Sequence, residues 1–129
     1  MKNISTKFYR AVSLDDLARY RSEGGAIPEH RPWAGYVDPS RNFGRRVINH
    51  VTRWVVEGRG PSREYDVLLS VVKPLSLFEQ QLGLNDDSVY KNKVSIPLYD
   101  VRVEAVSPRV VLHDVEELEL SDKVKNDFI

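Results

Sequence analysis

The sequence predicts an α+β domain with split or bent antiparallel sheets and two main helices. Three observations carry this. Apolar runs of strand length open the chain and recur through its last third, at residues 8–12, 64–72, 89–96, 101–106 and 109–115. Two stretches between them have helical spacing instead. Strands and helices do not alternate regularly, which disfavours a doubly wound parallel sheet.

Residues 1–6 are polar and are expected to be a flexible N-terminus. Phe8–Val12 is a short apolar run with Arg10 in its middle, and it reads as a strand buried on both faces. An arginine in such a strand is costly unless its guanidinium meets an acid, a phosphate or carbonyls. Two readings of Arg10 stay open: a structural partner or strand-edge exposure, or a phosphate grip in a cleft.

Ser13 is a good N-cap with Asp16 in capping-box position, and Asp15 and Asp16 favour a first helical turn. A helix is predicted over 14–23, stopped by Gly24 and Gly25. Pro28, Pro32 and Gly35 make 26–35 a loop that Trp33 anchors, followed by a brief strand at Gly35-Tyr36-Val37 and a turn at 38–40. From Phe43, the apolar residues Val47, Ile48, Val51, Trp54 and Val55 define a helix of about four turns, ended by Gly58 and Gly60. Trp54 on that stripe reads as core.

Glu64–Val72 is continuous and β-branched, so it is expected to be a central strand ended by Pro74. Residues 76–82 are expected to be a short helix and 85–88 a polar turn. Pro97 and Pro108 bound the later strands. A single domain is thus expected over 7–115, with 116–129 a charged tail.

The chain has 129 residues, 41% of them hydrophobic, which suits one core. It has no cysteine, so disulfides and thiolate chemistry are excluded. His30, His50 and His113 lack metal-ligand spacing, and no metal is expected. No apolar run is long enough for a membrane span, and Lys2 and Lys7 precede no apolar core, so no signal peptide is expected. Net charge is zero, yet residues 1–63 hold 12 Lys and Arg against 6 Asp and Glu, and 64–129 hold 7 against 13. If the halves pack together much of this cancels; otherwise the basic first half would attract phosphate-bearing ligands, and solvated faces account for most of the asymmetry. There is no phosphate-binding P-loop, no nucleophile elbow and no aromatic RNA-binding signature.

Lys7-Phe8-Tyr9-Arg10-Ala11, a helix, and then Ser22–Pro28 resemble the opening of the cholera-toxin type of ADP-ribosyltransferase. Gly35–Ser40 looks like that family's Ser-Thr-Ser motif, with Asp38 and Pro39 departing from it. Lys91–Pro97 looks like its third motif, with Lys91 and Lys93 in the places of both acids. The resemblance implies an NAD-binding toxin or effector that transfers ADP-ribose to a host or competitor macromolecule, acting in the cytoplasm or delivered there. Within it, Arg10 would hold the pyrophosphate, Ser40 would support the arginine strand, and Tyr36 or Phe43 would pack on nicotinamide. Glu104 would replace the lost acid. A lysine beside developing positive charge opposes such catalysis. Two alternatives therefore stand: a degenerate fold that binds a protein, including a cognate partner, or a phosphorylated ligand, and a small interaction or immunity-type module.

Overall fold

The computed structural model describes residues 5–35, 43–61, 63–80, 89–108 and 110, with 43–47 as helix backbone alone. The opening apolar run is β1 (Ser5–Val12). It pairs antiparallel with β3 (Pro32–Gly35) on one side and β4 (Val67–Pro74) on the other, so it is central. Phe8, Ala11 and Val12 are buried, but Lys7, Tyr9 and Arg10 are only half-buried, short of the strand buried on both faces that the sequence predicts. The main sheet runs β5-β6-β3-β1-β4-β8, with β5 at Phe78–Gln80, β6 at Val89–Asn92 and β8 at Arg102–Val106. A second sheet has only β2 (Ala26–Ile27) and β7 (Ile96–Pro97). Among the described residues, all pairings are antiparallel. The α+β class is therefore as the sequence predicts.

Helix α1 (Leu14–Ser22) begins as its cap predicts. Ser13 Oγ accepts from the Asp16 amide at 3.0 Å, and Asp16 Oδ2 accepts from the Ser13 amide at 3.1 Å. Gly24 and Gly25 follow with φ of 102° and 70°, which an L side chain resists. Helix α2 (Phe43–Glu57) ends at Gly58, φ 79°.

Four expectations are corrected. Residues 26–35 are not a loop: β2 and β3 form there, because Trp33 is buried and its indole Nε1 donates to Asn92 Oδ1 at 3.2 Å. Pro32 fits because it opens its strand, where a missing amide is tolerated. Residues 75–77 form one 3-10 turn, and β5 replaces the expected helix, since Phe78 stacks on Phe8 at 3.7 Å. The strand expected over 89–96 breaks at 93–95, where the Asn92 amide donates to the Pro28 and Val94 carbonyls, both at 2.8 Å. The strand expected from Glu64 starts only at Val67, because the Asp66 carboxylate accepts from the Leu14 amide at 2.9 Å. Residues 36–40, 81–88 and 111–129 lie outside the described residues, and with them the strand at 36–37, the turns and the tail.

Alternation along β1 sends Phe8, Arg10 and Val12 toward α1 and Lys7, Tyr9 and Ala11 toward α2. The α1 side carries the larger core, including Phe8, Leu17, Tyr20, Trp33, Leu69, Phe78 and Ile96. The α2 side packs Ala11, Ala34 and Leu68 under Val51 and Val55. Among the described residues, no helix is long and apolar enough to cross a membrane.

Candidate functional site

The α2 side holds a cavity of about 280 Å³ between the helix and the sheet. Its floor is Ala11 of β1 and Ala34 of β3, which lie on adjacent strands because Tyr9 pairs with Ala34. Val51 and Trp54 descend from α2, and Tyr9, Tyr65 and Val89 complete the wall. Trp54 and Tyr65 stack at 5.4 Å with 17° between their planes. Gly60 is required beside them: a Cβ there would run into the Tyr65 ring and come within 3.3 Å of Trp54.

Arg10 of β1 is among the lining residues, but its guanidinium lies on the α1 side of the sheet, against Tyr20. One Nη donates to the Pro32 carbonyl and the other to the Tyr20 hydroxyl, both at 2.9 Å, while Nε is buried with no acceptor among the described residues. All of its partners are neutral, so no described carboxylate offsets its charge. Of the described lining residues, Arg10 alone is charged and none is acidic.

Glu104 lies elsewhere. A β-bulge sets Leu68 opposite Ala105 and Leu69 opposite Val103, leaving Glu104 as the extra residue. Its carboxylate accepts from Lys7 Nζ at 2.9 Å and sits 3.8 Å from Arg102 Nε. The Arg10 side chain leaves β1 on the α1 side and Lys7 leaves it on the α2 side, so Arg10 and Glu104 are not brought together. Lys91, in register with Pro32 and Glu79, lies beside the cavity's strand rather than in its wall. Lys93 is exposed beyond β6, its amide donating to the Leu77 carbonyl at 2.8 Å. Tyr36 and Ser40 lie outside the described residues, and Phe43 is described only as helix backbone.

Two charge clusters frame the site. Beside β4 and β8 is a smaller hollow of about 200 Å³ lined by Lys7, Ser70, Tyr99 and Arg102. The bond to Glu104 raises the Lys7 pKa above its ordinary value, although partial burial works the other way. At the start of α1, Asp16 is buried, which alone would raise its pKa. The Ser13 amide and the Arg63 guanidinium outweigh that and hold the carboxyl below its ordinary value. Arg63 thereby ties α1 to the segment that carries Tyr65.

Trp54, Tyr65 and Tyr9 are the site residues that motif reasoning misses. The one signal in the sequence is Trp54 on the helix stripe, which reads as core. It is half-buried, packed against the α2-side core while also lining the cavity. Among the described residues, no group of acids and histidines could hold a metal ion. No protein-family model matches this chain, and neither does any curated protein or any solved structure.

Proposed function

We propose that this chain is an ADP-ribosyltransferase-like domain that binds NAD without transferring its ADP-ribose, serving as a recognition module toward a macromolecular partner. One observation carries the binding half: an aromatic cavity between α2 and the sheet, walled by Tyr9, Trp54 and Tyr65, with no acid among its described lining residues. Planar apolar walls take a flat ring. At about 280 Å³ the cavity has room for one ring system rather than a whole dinucleotide. The same wall supports the absence of turnover. No described lining residue is acidic, Lys91 and Lys93 stand where the resemblance expects acids, and Glu104 is engaged by Lys7. A cleavage that builds positive charge has no described anion here to stabilise it.

Calorimetric titration with NAD, alongside NMR detection of released nicotinamide, tests both halves. Binding is expected, weakened at least about tenfold in Trp54→Ala, with no nicotinamide released. Release that Glu104→Ala abolishes would make the chain a transferase and Glu104 its acid. Absence of binding by a folded protein would remove the reading altogether.

A further inference from the structure

We infer that the ring held by this cavity is the neutral adenine of the dinucleotide and not its cationic nicotinamide. The inference rests on the NAD-binding reading above and concerns which end of the ligand enters. Aromatic walls ordinarily attract a cationic ring through their quadrupoles. Here two of the three rings are already used in that way. The Lys7 ammonium stands 5.4 Å from the Tyr9 ring centre, and the Arg63 guanidinium stands 5.4 Å from that of Tyr65. Neither cation lines the cavity, so each occupies its ring from outside it.

The counter-ions of these cations also lie outside the wall: Glu104 holds Lys7, and Asp16 holds Arg63. No described lining residue is an acid, and the Lys7 and Arg63 cations behind the rings disfavour a pyridinium between them. A neutral purine meets none of this opposition. It stacks on indole and phenol faces through flat apolar area and carries no charge for the outer cations to oppose. The walls thus select against positive charge on the ring while retaining affinity for flat area.

Four probes decide it in calorimetric titrations of the full chain: NAD, NADH, adenosine monophosphate and nicotinamide mononucleotide. Reduction removes the nicotinamide's positive charge and leaves adenine unchanged, so NAD and NADH are expected to bind within about threefold of each other. Adenosine monophosphate is expected to bind at least about tenfold more tightly than nicotinamide mononucleotide. Lys7→Met, which keeps the side-chain stem and removes the charge, is expected to narrow that gap. Equal or tighter binding of nicotinamide mononucleotide, with NAD still bound, overturns the inference and leaves the NAD reading standing. A gap unchanged in Lys7→Met overturns the role given to the ring-bound cation. If none of the four probes binds, both the inference and the reading beneath it fall.

Discussion

The two faces of the central strand are built from one alternating sequence and end up doing different things. Toward α1, β1 presents Phe8 and Val12, and the neighbouring strands add Trp33, Leu69, Val71 and Tyr90. Toward α2 it presents Tyr9 and Ala11, and its neighbours add Ala34 and Leu68. Large side chains meet large ones on the first face and close it, with Phe8 stacked on Phe78 and set edge-on to Tyr90. On the second face two alanines, diagonal neighbours on adjacent strands, sit under a helix whose Trp54 lines the gap. Packing to full density is the default for an interior. A hollow therefore marks where volume has been withheld, and here it is withheld by Ala11 and Ala34.

The widest separation of the two faces should come from paired tryptophan truncations. Trp33→Ala removes a buried indole and one of the two donors to Asn92 Oδ1, leaving only the Arg31 amide, so it should cost about 3–5 kcal/mol in urea unfolding. Trp54→Ala removes a half-buried ring at the edge of a cavity and should cost clearly less. Equal losses would mean that both faces are structural core and that the hollow is incidental.

The next effect lies where the faces are joined. Asp16 caps α1 and also holds Arg63, whose chain neighbour Tyr65 walls the cavity. Its folded pKa is depressed, so its contribution is fully present above the unfolded carboxyl value of about 3.9 and is lost as pH falls through the lower folded value. Asp16→Asn should destabilise the chain at neutral pH by about 1–2 kcal/mol. The difference from wild type should shrink in unfolding curves taken progressively below about pH 4. A difference that stays constant down to about pH 2 would remove the carboxylate from the account.

What the sequence discloses follows from how locally each feature is encoded. The Ser13 cap and both helices depend on residues a few positions apart, and they form where the pattern puts them. Strand β1 starts earlier than its apolar run, at Ser5, because pairing with Pro74 and Lys73 of β4 draws in the polar residues expected to be flexible. Strand β3 is hidden because Pro28 and Pro32 punctuate the run, while the bond that makes it a strand is Trp33 to Asn92, distant in sequence. Phe78 reads as part of a helical turn until Phe8 is known to lie under it. The cavity is the least legible feature. Arg10 could be singled out as a charge in an apolar strand, but Ala11 and Ala34 become a floor only through the β1–β3 register. Trp54 and Tyr65 become a wall only when α2 is laid across it.

The smallest expected change in stability is also the sharpest test of what the hollow is for. Ala34 is buried in the floor, paired with Tyr9 on one strand and Val89 on the other. In a filled interior, Ala34→Leu would force its neighbours off their rotamers and destabilise the fold by about 1–3 kcal/mol. Here the added methylenes enter empty space against Val51 and Trp54, and dispersion attraction to those two side chains offsets the adjustment. Urea unfolding should therefore place Ala34→Leu within about 1 kcal/mol of wild type. The same side chain fills the space a ligand ring needs, so NAD affinity should fall by at least about tenfold in calorimetry. Stability retained with binding lost would show that the α2 face is left open for a ligand. If stability and binding are both retained, the ring does not enter between α2 and the sheet.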